Sequence, residues 1–132
     1  MAFVIDASVV ACWAFSDEDH PTAADALERL TAEEGHVPAL WRFELCNVLI
    51  VSERRGRISE SDTTQFLRSV SRLPIQIDTG ADQAELLRVA RAHGLSAYDA
   101  AYLELAMRQG LPMATLDSRL ANAARSAGVA LV

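Results

Sequence analysis

Lysine is missing from this chain: all 12 of its Lys/Arg positions are arginine. That absence excludes P-loop phosphate binding, Schiff-base chemistry and a lysine general base. Cysteine is limited to Cys12 and Cys46, with no metal-binding spacing between them. In a reducing compartment they are expected to stay free, as two buried and inert core residues. No apolar run approaches the roughly 20 residues that span a bilayer. The apolar start, Ala2 to Ile5, stops at Asp6 without a basic leader. No signal peptide is therefore expected, and the protein is expected in the cytoplasm, with no membrane partner. Net positive charge is lacking too, the formal charge being −6. Such a protein binds nucleic acid poorly through bulk charge, so any attraction must be local.

What is present is a globular composition, 51% hydrophobic and 23% charged, over 132 residues. This suits one domain, residues 1–132, with a sizeable core. One pattern recurs: an Ala- and Leu-rich helical stretch, a glycine, then a short apolar strand. It occurs around Gly35, Gly110 and Gly128. Each glycine reads as a helix C-cap, where a left-handed backbone is needed. Helices alternating with short apolar strands imply an α/β fold around a buried, mostly parallel sheet. Five strands are expected, at 2–5, 36–38, 75–77, 112–115 and 129–132. Helices are expected at about 8–15, 21–33, 39–54, 60–72, 80–92, 97–109 and 118–127. Ser59 with Asp62, and Ser96 with Asp99, read as N-cap pairs.

Four acids stand out against this frame. Asp6 follows the first strand at its carboxyl end, and Asp117 falls two residues past the strand ending at Thr115. Open parallel sheets bind ligands outside those ends. Glu44 and Asp99 lie on helices instead. Helix 39–54 is apolar nearly all round, which predicts burial, and Glu44 shares a stripe with Leu40, Asn47, Val48 and Val51. Asp99 shares its face with Tyr102, Leu103 and Ala106, while Glu104 and Arg108 are expected to point away. A carboxylate on an apolar stripe is costly unless it is paired, bonded or metal-bound.

Each acid has a structural explanation of its own. Asp6 and Asp117 could cap the helices that follow, and Asp99 could complete the Ser96 capping box. Glu44 could pair with Arg72. Together, four acids converging on one sheet edge, with no lysine and few histidines, need a cation. Hard oxygen donors suit Mg²⁺, or Mn²⁺ in its place, and those ions keep waters useful for hydrolytic phosphoryl chemistry.

Four segments carry a resemblance. Phe-Val-Ile-Asp-Ala-Ser-Val at 3–9, Phe-Glu-Leu-Cys-Asn-Val-Leu at 43–49, Leu-Ser-Ala-Tyr-Asp-Ala-Ala-Tyr-Leu-Glu-Leu-Ala at 95–106 and Ala-Thr-Leu-Asp-Ser-Arg-Leu at 114–120 resemble PIN-domain nucleases. The similarity is greatest to VapC-type toxins of bacterial toxin–antitoxin pairs. It spans the chain in order and with family-like spacing. It implies a three-layer α/β/α fold with a central, mostly parallel five-stranded sheet. It implies an endoribonuclease in which Asp6, Glu44, Asp99 and Asp117 hold Mg²⁺ or Mn²⁺. Ser8 and Thr115 fall on the family's hydroxyl positions, expected to orient Asp6, Asp117 or a metal water. A homodimer and a cognate antitoxin are implied as partners, with RNA as substrate. Arg42, Arg54, Arg55, Arg57 and Arg119 flank the acidic segments and are the expected RNA contacts.

Rival readings fail on particular residues. A receiver-type phosphoacceptor needs a lysine. A haloacid-dehalogenase-type phosphatase needs a second acid where Ser8 stands, and a lysine as well. No Gly-x-Gly-x-x-Gly follows the first strand, which excludes a Rossmann cofactor domain. Chemistry by two imidazoles is not expected from His20, His36 and His93, which are scattered along the chain. Two readings share the fold: a non-toxin RNA-processing nuclease, and a weakly active regulatory binding module. The intact acidic quartet argues against the second. A short antitoxin-like reading frame beside the gene would argue against the first.

Overall fold

Phe3, Val4 and Ile5 have no solvent exposure, the state of a strand covered on both faces. In the computed structural model of the chain, which describes residues 1–132, they belong to β1 (Ala2–Ile5). Three further strands are β2 (Glu34–Pro38), β3 (Ile75–Asp78) and β4 (Met113–Ala114). The sheet order is β3-β2-β1-β4 and every pairing is parallel. Seven helices complete a three-layer α/β/α fold: α1 (Ala7–Cys12), α2 (Pro21–Arg29), α3 (Trp41–Arg54), α4 (Glu60–Val70), α5 (Gln83–His93), α6 (Ala97–Gln109) and α7 (Ser118–Ser126). None is long and apolar enough to cross a membrane.

Four strands form, not five. The expected strand at 129–132 reduces to a single parallel bridge between Leu131 and Met113. Hydrogen bonds from Met113 N–H to the Ala130 carbonyl and from Val132 N–H to the Met113 carbonyl, both 2.9 Å, flank it. The physical reason is the shortness of β4, whose two residues offer a neighbour almost no ladder.

Gly110 and Gly128 adopt the left-handed backbone expected of them, at φ 66° and 78°. Gly35 does not cap a helix. It lies inside β2, opposite Phe3, where a Cβ would come within 2.5 Å of Ile5 Cδ1. Close packing against the neighbouring strand explains this glycine, not a turn.

Helix α6 packs against β1 and β2 and is itself flanked by α5 and α7. Every residue from Ala100 to Ala106 is buried. That includes Glu104, which does not point to solvent as expected. Its carboxylate accepts from Arg108 Nε at 2.7 Å, and Arg108 also donates to Asp78 Oδ1 at 2.7 Å. The buried charge is thus neutralised on its own helix and tied to the end of β3, as a buried carboxylate requires.

Helix α3 also departs from expectation. Trp41, Leu45 and Leu49 are buried, whereas Phe43, Cys46, Asn47 and Ile50 are exposed. The apolar content of α3 therefore exceeds what this chain covers. Of the two cysteines only Cys12 is in the core, where burial pushes its thiol pKa up and keeps it inert.

Candidate active site

Strand register sets the first half of the site. Ile5 pairs with Ala114, and the Asp6 N–H donates to the Ala114 carbonyl at 3.0 Å. The next residues on each strand, Asp6 and Thr115, therefore meet at the carboxyl edge of the sheet. Asp6 stands at the N-cap position of α1, yet its side chain makes no capping bond. Its Oδ2 instead accepts from Thr115 Oγ1 at 2.7 Å and from Ser8 Oγ at 2.8 Å. Each hydroxyl in turn accepts a backbone N–H: Ser8 from Leu116 at 3.1 Å, Thr115 from Asp117 at 3.0 Å. A hydroxyl has one hydrogen and two lone pairs, and both kinds of site are used here to lock Asp6 to the 115–117 loop. Of the four acids, Asp6 is the one to which both Ser8 and Thr115 donate.

Asp117 does cap α7, its Oδ1 accepting from the Arg119 N–H at 2.9 Å. Asp99 lies in the first turn of α6. There the Ser96 hydroxyl accepts from the Asp99 N–H at 3.1 Å. The reciprocal half of the box, a bond from the Ser96 N–H to the Asp99 carboxylate, does not form. At Ser59 and Asp62 both halves are present. The Asp99 carboxylate thus takes no backbone N–H at this cap, and the Ser96 hydroxyl beside it has only a small lowering effect on its pKa.

Glu44, in the first turn of α3, has no arginine bonded to it, Arg72 included. Its partner is Tyr102, whose phenol donates to Glu44 Oε1 at 2.6 Å. Tyr102 is 0% exposed. The sequence marks Tyr102 only as a core aromatic one helical turn from Asp99; its partner lies 58 positions away.

The electrostatics link all four acids. Burial raises the Asp6 pKa above the ordinary carboxylate range, against the bonds from Thr115 and Ser8, and the charge of Asp117 raises it further. Burial likewise raises Glu44, with Asp6 and Asp99 adding repulsion against the lowering effect of Tyr102. Asp99 is raised by burial, then by Asp117 and Asp6, with Arg119 partly offsetting. Desolvated and mutually repelling carboxylates are an arrangement that a cation relieves. No three His, Cys, Asp or Glu side chains stand ready to grip an ion directly. The oxygen-only donor set fits a hard cation that binds through few carboxylates and keeps part of its water shell.

The expected arginine track is only partly free. Arg57 lies over the Phe15 ring, 4.1 Å from its centroid, and donates to Asp17 Oδ1 at 3.1 Å. Arg42, Arg54, Arg55 and Arg119 are exposed and form no ion pair. Two large aromatics are also exposed: Phe43 at 77% and Tyr98 at 66%. Each directly precedes a helix-borne acid, Glu44 or Asp99.

A wholly parallel sheet between helix layers, with interacting acids at its carboxyl edge, defines a three-layer α/β/α protein with an acidic sheet edge. The PIN domain matches residues 3–126, and the chain belongs to that family. It is 33% identical over 126 residues to Ribonuclease VapC3 of Pyrobaculum aerophilum, covering 92% of this chain and 94% of that one. The crystal structure of PAE2754 from Pyrobaculum aerophilum superposes with a TM-score of 0.75 at 25% identity, over 93% of this chain and 79% of that one. FitAcB from Neisseria gonorrhoeae shares the fold at a TM-score of 0.57 and 19% identity, covering 99% and 96%.

Proposed function

We propose that this protein is a Mg²⁺-dependent endoribonuclease, the toxin of a toxin–antitoxin pair, and that Asp6, Glu44, Asp99 and Asp117 form its active site. The observation that carries this is the electrostatic coupling of four acids at one sheet edge, three of them with raised pKa values and none bonded to a neutralising arginine side chain. The resemblance to a VapC ribonuclease over nearly the whole chain supports the substrate and the toxin role.

Bound Mg²⁺ or Mn²⁺ would supply an activated water and neutralise charge on the leaving oxygen. The chain supplies the rest. Asp6 is held rigid by Ser8 and Thr115, which leaves its Oδ1 without a side-chain donor. Asp117 is fixed by its cap bond, which occupies Oδ1 and leaves Oδ2 open. Asp99 and Glu44 complete the negative crevice from the first turns of α6 and α3.

RNA contact falls to the exposed arginines 42, 54, 55 and 119, with Phe43 and Tyr98 offering ring faces for unstacked bases. A cognate antitoxin and a second copy of this chain are the proposed protein partners, and the cytoplasm, where transcripts are, is the proposed place of action. Sedimentation tests the homodimer against a monomer of 14.3 kDa.

The deciding experiment incubates the purified protein with end-labelled RNA, in Mg²⁺ or in EDTA. Cleavage in Mg²⁺ alone, with 5′-phosphate and 3′-hydroxyl ends, is expected. A 2′,3′-cyclic phosphate would mean attack by the RNA's own 2′-hydroxyl and would overturn the mechanism.

A further inference from the structure

We infer that the hollow between the end of α5 and the face of α7, lined by His93, Ser118, Arg119 and Asn122, is a subsite for an RNA phosphate beside the one that is cut. The inference rests on the nuclease reading above and says how that site holds its substrate.

In a chain of net charge −6, a polyanion is held only where positive charge is gathered locally. The hollows along the α1–α2 connection are not such places. One carries Asp17 and Asp62, another Asp17, Glu18 and Asp19, and the arginine common to both, Arg57, is already paired with Asp17. The hollow between α5 and α7, of about 640 Å³, carries no acid. Its lining is one arginine, one histidine, two serines, an asparagine and alanine. Arg119 is exposed and in no ion pair, so its guanidinium fork can take two oxygens of one phosphate. Asn122 is set up to donate as well. Arg125 donates to its Oδ1 at 2.9 Å, which engages the amide oxygen and leaves the amide nitrogen for a ligand. His93, the last residue of α5, is half-buried and adds a ring N–H.

The hollow lies beside the acids. Ser118 and Arg119 directly follow Asp117, and His93 stands three residues before Ser96, whose hydroxyl accepts from the Asp99 N–H. Arg119 is near enough to Asp99 for its charge to lower the Asp99 pKa, against the opposing effect of Asp117. The two segments that bear Asp99 and Asp117 thus also form walls of the hollow. An RNA strand with its scissile phosphate at those acids must carry its next phosphates past them, and here donors without acids await one. Contacts to phosphate fix register and read no sequence. This subsite therefore positions the strand and leaves base choice to other residues.

The ring NMR signals of His93 report on the hollow, and those of His36, in β2, serve as control. The full chain is titrated in EDTA with a short single-stranded RNA of mixed sequence and, separately, with inorganic phosphate. The His93 signals should shift on RNA binding while those of His36 stay in place. Inorganic phosphate should move His93 only at far higher concentration. Saturation by phosphate at the same concentration as RNA would make this a site for the free ion and overturn the RNA subsite. Arg119→Gln should weaken RNA binding about 10-fold, the scale of a hydrogen bond to a charged group, and flatten its salt dependence by roughly one unit of slope. Asn122→Ala, which changes no charge, should weaken binding too, a loss that long-range attraction alone would not produce. Unchanged affinity in both variants would overturn the proposal. So would a parent that cuts RNA in Mg²⁺ yet shows no response at His93, and the nuclease reading would then stand. A parent that neither binds RNA in EDTA nor cuts it in Mg²⁺ would overturn both.

Discussion

Thr115 and Asp6, 109 positions apart, are joined by a 2.7 Å hydrogen bond across the carboxyl ends of β4 and β1. The same threonine accepts the Asp117 N–H at 3.0 Å, so one hydroxyl sets the spacing of two acids. Thr115→Val keeps the shape and removes both bonds. It strands a part-buried N–H and strips a donor from a buried carboxylate, a loss of about 1–3 kcal/mol. Thermal melts should show that destabilisation, and RNA cleavage should fall well beyond it because Asp6 and Asp117 lose their common anchor. Serine at the same position should restore most of both. If Thr115→Val cleaves RNA like the parent, the hydroxyl is not what fixes the acids.

Arg57 should prove structural. Its stacking on Phe15 and its ion pair with Asp17 hold the end of α3 to the segment after α1. An exposed cation–π contact is worth about 0.5–1 kcal/mol, and the exposed ion pair adds little. Arg57→Ala should therefore cost roughly that much stability and leave the salt dependence of RNA binding unchanged. Arg54→Ala with Arg55→Ala should instead flatten that dependence, by roughly one unit of slope for each phosphate that is no longer neutralised. An unaltered slope in the double variant would move the RNA track away from the end of α3.

How far the site could be read in advance differs from residue to residue. Asp6, Asp117 and the parallel sheet were legible because local pattern carries them: an apolar run, then an acid at its carboxyl end. Tyr102 was not, because its hydrogen-bond partner lies on another helix and nothing local marks it. Gly35 looked like a cap because a helix precedes it, but the requirement comes from Ile5 on the neighbouring strand. Glu104 and Arg108 have the spacing of a surface pair, and that spacing serves equally to neutralise a buried acid. For α3, composition gives how apolar the helix is but not how much of it this chain covers. Hence Phe43 and Ile50, and with them Cys46, were misplaced in the core.

Phe43 and Tyr98 test substrate binding without touching the acids. Stacking of a base on an aromatic ring is worth about 1–3 kcal/mol, which corresponds to about 5- to 150-fold in affinity. Phe43→Ala and Tyr98→Ala should each weaken single-stranded RNA binding within that range and leave metal binding intact. Replacement by tryptophan should retain it. If Phe43→Ala instead turns a dimer into monomers with RNA affinity retained, that ring belongs to a protein interface.

Stability should depend on pH in a direction set by the raised acids. Asp6, Glu44 and Asp99 hold protons in the folded state more tightly than in the unfolded chain. Between the ordinary carboxylate range, about 4, and their raised values, the folded state binds more protons. Their contribution to stability is therefore lost as pH rises through that window. Asp62, Asp78 and Glu85 have lowered values, so their contribution is lost as pH falls below the ordinary range. In EDTA the melting temperature should decline as pH rises above the ordinary carboxylate range. In Mg²⁺ the decline should vanish or reverse, because ligand carboxylates must be deprotonated. A steady rise toward neutrality in EDTA would contradict the raised values.

Asp99 separates function from stability most directly. Two carboxylates about 4 Å apart repel by roughly 1 kcal/mol in water and about 4 kcal/mol at an effective dielectric near 20. Asp99 is part-exposed, so the relief on neutralising it lies toward the lower figure. Asp99→Asn keeps the backbone N–H that bonds Ser96 and removes one charge from the crevice. In EDTA the variant should melt at or above the parent's temperature. In Mg²⁺ the order should invert, since an ion at about 100 times its dissociation constant stabilises the parent by about 2.7 kcal/mol. Cleavage should fall to background in the same variant. Were Asp99 a structural cap, its replacement would lower the EDTA melting temperature and leave the response to Mg²⁺ untouched. Melts of both proteins in the two conditions discriminate between these outcomes, because repulsion and capping predict shifts of opposite sign in EDTA.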